Sequence, residues 1–152
     1  MHTLLDNASI KPGVKSGSYA GTAAGSNTFG SAVSMSGFDS VTFLLQGTCA
    51  TQAGSVTLTA YSATSAAAAG SAAISGAALT FVGTAVAADT HQIHALTVKA
   101  DQLPAASPFI LPVLTVWGNS MVFLGDVVTV RYNPRNLPPT NTDVLTDTML
   151  VA

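Results

Sequence analysis

Apolar and polar residues alternate with a period of two through most of the chain. In SVTLTAYS, Val56, Leu58 and Ala60 share one face, while Thr57, Thr59 and Tyr61 share the other. SVTFLLQG places Val41, Phe43 and Leu45 together, and DVVTVRYN sets Val128, Val130 and Tyr132 against Val127, Thr129 and Arg131. Successive side chains of a strand point to opposite faces, so this alternation of β-branched and aromatic residues predicts half-buried strands. GSAVSMS, ALTFVGTAV, QIHALTVKA, FILPVLTVW and SMVFLG are further candidates. Turn chemistry separates them, with Gly37, Gly47, Gly54, Gly76, Gly118–Asn119 and Gly125–Asp126 as the expected tight positions. About eight short strands at this spacing predict an all-β, antiparallel two-sheet sandwich of the jelly-roll kind. Pro112 cannot donate to a ladder and is expected at an edge or a bulge. The alanine run 66–69 fits a short helical turn between strands, with Gly70 opposing anything longer.

The two ends lose this pattern. Residues 12–31 are rich in Gly and Ser, which predicts an extended N-terminal arm and loop over 1–31, ahead of a sandwich domain over 32–132. Residues 133–152 read as an extended C-terminal arm. Pro134, Pro138 and Pro139 fall close together, and the last pair favours polyproline-like extension. The tail then regains apolar residues in VLTDTMLVA, a segment suited to joining a sheet edge on another subunit.

Composition changes the picture in one direction. Only 8% of the 152 residues are charged, and glutamate is absent, against roughly 25% charged in an average soluble protein. A net charge of −2 gives no basic footprint for nucleic acid and no polybasic route to lipid. Charge is also what keeps copies of a protein apart, so a neutral exterior of Ala, Ser, Thr and Gly suits an assembly that covers it. No charged residue occurs between Asp39 and Asp89, or between Asp101 and Asp126. The first window is too rich in Gly, Ser and Thr for a membrane span, and the second is cut by Pro104, Pro108 and Pro112. MHTLLDNASIKPG lacks the basic start and apolar run of a secretory signal, which predicts synthesis in the cytoplasm and deprives the NAS at Asn7 of meaning as a glycosylation acceptor.

Candidate chemistry is sparse. His91 and His94 follow Asp89, but residues three apart on a strand face opposite sides, and zinc needs three or four convergent ligands. Serine, histidine and aspartate are all present without a GxSxG elbow. Scattered aspartates do not make a glycosidase pair, and no glycine-rich phosphate loop precedes a helix. Cys49 is the only cysteine, so no disulfide forms within the chain, and a small buried core thiol is its expected role. No enzyme, cofactor, metal or small-molecule substrate is expected. Trp117, Tyr61 and Tyr132 could together stack a sugar, which keeps a glycan- or receptor-binding module of a tail fibre or exported surface protein as the alternative reading.

Three stretches in order, LLDNASI, MSGFDSVTFLLQG and VTVRYNPRNLPPT, resemble small virion proteins of tailed bacteriophages, of the capsid cement or decoration type. The chain departs from that pattern where such proteins carry a basic, tyrosine-containing strand before the last one; here FILPVLTVWGNS stands instead. The resemblance implies a β-sandwich on the outer surface of an icosahedral head, assembled in the host cytoplasm, bridging major capsid protein subunits. It brings no catalytic residues. On that reading the chain associates with itself as a homodimer or homotrimer. Leu4, Leu5 and Ile10 at one end, and Arg131, Tyr132, Arg135, Leu137, Leu145, Met149 and Leu150 at the other, are the candidate contact residues. Arg131 and Arg135 would anchor to acidic groups or carbonyls of the partner.

Overall fold

Between β-branched runs and short glycine turns, the backbone pairs into two sheets. The computed structural model describes residues 8–49, 54–82, 92–119 and 121–134. Its strands are β1 (Ala8–Ala20), β2 (Ser26–Phe29), β3 (Val33–Ser34), β4 (Phe38–Cys49), β5 (Ser55–Ala63), β6 (Ala72–Val82), β7 (Gln92–Lys99), β8 (Phe109–Trp117) and β9 (Val122–Pro134), with a single 3-10 turn at Ala100–Gln102. The first sheet has the order β1-β9-β4-β7, and the second β2-β8-β5-β6 with β3 also on β8.

The pairings identify the topology. Taking β2 and β3 as one interrupted strand, the first strand pairs with the last, the second with the next to last, and so inward to β5 with β6. This is one long nested hairpin. It is rolled so that β4 also meets β9 and β5 also meets β8, which makes it the jelly roll expected from the pattern.

The alternation read from the sequence supplies the core. Val41, Phe43 and Leu45 of β4 face Val56 and Leu58 of β5 and Ile110, Leu114 and Val116 of β8; all are buried. Each such side chain contributes about 1.5–3 kcal/mol by leaving water. β8 is buried on both faces, because Leu111 and Val113 lie beneath Ala32, Tyr61, Ala68 and Phe109 on the far side of the second sheet.

Four expectations are corrected, the last of them at Pro112. Residues 8–31 do not precede the sandwich as an arm: β1 runs thirteen residues along β9, and β2 lies on β8. The full hydrogen-bonding edge of β9 organises a segment of weak intrinsic propensity. Register shifts after Pro12 and Val14 absorb the proline and the glycines. Gly125–Asp126 is not a turn, so SMVFLG and DVVTVRYN are parts of one strand, β9. Gly47 likewise lies within β4, directly opposite Gly125. The Phe123 ring lies over this pair, and a Cβ on either glycine would come within 2.5 Å of it.

Pro112 sits in a central strand, but opposite the break between β2 and β3. Its carbonyl accepts from Gly30 N–H at 2.8 Å, which puts its missing donor on the same, interrupted side. The chain at the break crosses to the first sheet, where Ser31 N–H donates to Gly13 O at 2.8 Å. That bond closes one side of the sandwich. The alanine run forms a short turn between strands, with Ala68 N–H donating to Ser65 O and Thr64 N–H to Ala69 O, each at 3.0 Å, and Ala68 at φ 59°.

Candidate interaction surface on the uncharged sheet

None of the strands β2, β3, β5, β6 or β8 contains a charged residue. The charged residues among those described, Lys11, Lys15, Asp39, Lys99, Asp101, Asp126 and Arg131, all fall on the first sheet or the 3-10 turn beside it. The second sheet is therefore built from the charge-free intervals of the sequence, brought side by side.

Register places its outward side chains in rows. Asn27, Thr115, Thr57 and Thr80 form one row across all four strands. Thr115 Oγ1 donates to Asn27 Oδ1 at 2.7 Å, and Thr57 Oγ1 and Thr80 Oγ1 are 2.9 Å apart. These hydroxyls are spent on each other. On one side of the row stand Trp117, Ser55 and Val82, and on the other Phe29, Val113, Thr59 and Ala78. Phe29, Trp117 and Val82 are 55%, 41% and 66% exposed, large apolar side chains that face outward on three of the four strands. Phe29 meets Tyr61 edge to face with ring centroids 6.0 Å apart. The result is a neutral face with apolar side chains flanking a self-satisfied polar band. It suits contact with another polypeptide.

The outer face of the first sheet is mixed. Ile93 and Leu124 are exposed, and a groove of about 480 Å³ opens between them, lined also by Gln46, Gln92, Ser16 and Asp126. Among the described residues, no group of three or more His, Cys, Asp or Glu could hold a metal ion. No described helix is long and apolar enough to cross a membrane.

Of the contact residues expected from sequence, Leu4, Leu5, Arg135, Leu137, Leu145, Met149 and Leu150 lie outside the described residues, as does His91. Ile10 and Tyr132 are half-buried on the outer face of the first sheet, with Ile10 opposite Val130 and Thr42 Oγ1 donating to Tyr132 Oη at 3.4 Å. Arg131 is a correction. It is only 6% exposed and points inward. Nη1 donates to Ser34 O at 2.7 Å in the opposite sheet, Nη2 donates to Ser9 Oγ at 2.8 Å, and the guanidinium lies 4.5 Å from the Phe38 ring centroid. Odd-numbered residues of β9 from 123 to 131 face the core, and the fork ties the two sheets rather than reaching a partner.

The three aromatics of the glycan reading do not gather. Tyr132 is on the first sheet, while Trp117 and Tyr61 occupy rows six residues apart along β5, roughly 20 Å. Gly25 lies against the Trp117 ring and covers part of it. His94 stacks on Phe81, with centroids 4.6 Å apart, and bonds Gln92 at 3.0 Å. Cys49 ends β4 half-buried, and burial raises its pKa.

Sequence reasoning missed Phe29, Val82 and Ile93. A signal was present in the charge-free intervals, but their convergence on one sheet is a product of long-range pairing. No protein-family model matches the chain, and no curated protein matches it in sequence. Its fold is similar to that of chains in the structures of infectious bursal disease virus. For the Gx strain the TM-score is 0.53 at 11% identity, and for the Gt strain 0.51 at 10%. Each match covers 86% of this chain and 34% of the other, so this chain spans about a third of their length.

Proposed function

We propose that the chain is a non-enzymatic structural subunit of a virion, a cement or decoration protein on the outer surface of a tailed-bacteriophage head. There it bridges and stabilises major capsid protein subunits. The observation that carries this reading is the charge-free second sheet, whose outer face exposes Phe29, Trp117 and Val82. Such a face loses little on desolvation and gains at about 25 cal/mol per Å² covered. The jelly-roll topology, its likeness to chains of a virus, and the ordered trio of bacteriophage-like motifs support the same reading. Each contact is modest, and stabilisation comes from repetition over a shell, where linked sites multiply weak affinities.

The test is loading onto phage heads that lack the protein. Wild-type protein is expected to bind to saturation and to raise the temperature at which the heads open. Phe29→Asp combined with Val82→Lys should cut occupancy at least tenfold, equivalent to about 1.4 kcal/mol per site, while the variant still folds cooperatively, its melting temperature lowered only by loss of the Phe29–Tyr61 contact. Wild-type protein that leaves heads bare, or a variant that loads as well as wild type, would defeat the proposal.

A further inference from the structure

Among the described residues, the two sheets present four outer strands, and three of them are blunted. β1 carries Pro12, two register shifts, Lys11 and Lys15. β2 is four residues long, and the chain after it leaves to bond β1 through Ser31. β6 departs from β5 between Ala73 and Ala78, with Gly76 at φ 75°. Bulges, prolines, lysines and short edge strands are the devices by which sheets avoid pairing with strangers. β7 lacks them along its length. Its register with β4 is unbroken from Lys99 opposite Ser40 to Gln92 opposite Gly47, it has no proline, and its single charge is the terminal Lys99. No described strand lies along its far edge.

We propose that this edge of β7 accepts residues 144–152 of a neighbouring copy as a fifth strand of the first sheet. The inference rests on the subunit reading above and names the contact through which copies join. VLTDTMLVA lacks proline and glycine and is rich in strand-forming residues. Main-chain hydrogen bonds along an exposed edge supply affinity without charge. The chain leaves β9 at the same end as Lys99, since Ser40 pairs with both Tyr132 and Lys99. The chain's own β7 is only two strands away, about 10 Å. Residues 135–143 contain Pro138 and Pro139, which favour extension, and nine residues at polyproline spacing would span about 28 Å. Reaching its own edge would require a reversal that the proline pair opposes. A neighbour's edge requires none.

Cysteine pairs in the full chain test this. In a Cys49→Ser background, Thr97→Cys is combined in turn with Thr146→Cys and Thr148→Cys and mildly oxidised. Reducible dimers and higher species are expected from at least one pair. Amide exchange across β7 should also be faster in a chain ended at Pro134 than in the unaltered one. Disulfides formed only within monomers would show a tail closing its own edge and would overturn the exchange. Equal dimer formation by Thr97→Cys alone would show edge-to-edge pairing of two β7 strands, and would also overturn it. So would no cross-link together with unchanged exchange. Head loading separates the two proposals: uncrosslinkable protein that still loads leaves the subunit role standing, whereas copies that link and ignore heads remove that role alone.

Discussion

Arg131 sits where a guanidinium is useful inside a protein, spanning a gap between two sheets that a single donor could not bridge. Its fork satisfies Ser34 O across the gap and Ser9 Oγ alongside, while Phe38 covers the plane. Arg131→Ala is expected to lower the unfolding free energy by about 3 kcal/mol, and Arg131→Lys to recover only part of it, since one ammonium cannot serve both positions. Urea denaturation measures both. Gly47 and Gly125 pose the opposite constraint, for there the space is already filled by Phe123 and by the facing carbonyls. Alanine at either position should cost about 1–3 kcal/mol through overpacking. Phe123→Leu in the same chain should return some of that, which a double-mutant cycle would reveal. Tyr19 and Cys49 give a pH dependence. Burial raises both pKa values above their ordinary 10.0 and 9.0, with Asp126 adding to the effect on Tyr19. Both groups are neutral when protonated, so the folded chain holds those protons more tightly than the unfolded chain does. Their contribution is complete below the ordinary values and is lost as pH rises through the raised ones. The melting temperature is expected to be level up to about pH 9 and to fall above it, less steeply in Tyr19→Phe.

Among the elements, those with their own apolar alternation were legible in the sequence. Val41, Phe43 and Leu45 in β4, and Val56, Leu58 and Ala60 in β5, face the core as their spacing requires. Gly37, Gly76 and Gly118 do adopt positive φ, as turn chemistry predicts. What escaped was set by partners. β1 has little periodicity of its own and exists because β9 offers a complete edge. Gly125 looked like punctuation because a glycine allowing a turn and a glycine allowing an aromatic ring to lie flat read identically in one dimension. Pro112 was legible as a problem and illegible as to its solution, a gap in the neighbouring strand. Arg131 looked like a free cation at a strand end; parity within β9 groups it with Val127 and Thr129, but which face turns to the core is set by the packing of the second sheet. Of the surface residues, Trp117 was visible as an aromatic in an apolar run. Phe29 stood inside a stretch that looked unstructured. The outlines of the fold could be read from local chemistry, whereas the candidate surface required knowing which strands share a sheet.

For the whole molecule, the division of charge between the sheets is the governing feature. A chain ended at Pro134 retains all nine described strands, so it should still unfold in one cooperative transition, at a melting temperature lowered only by loss of the neighbour's tail, yet load onto heads more weakly than the full chain. Equal loading by the shortened chain would remove the arm from the account. The same division fixes how attachment answers its medium. Coulombic contacts are weakened by dissolved ions over about 8–10 Å at ordinary ionic strength, but the second sheet offers those ions nothing to neutralise. Sulfate would tighten a seat of this kind by making exposed hydrocarbon less tolerable, and urea would loosen it. A particle fastened through that face would hold as firmly in brine as in rainwater.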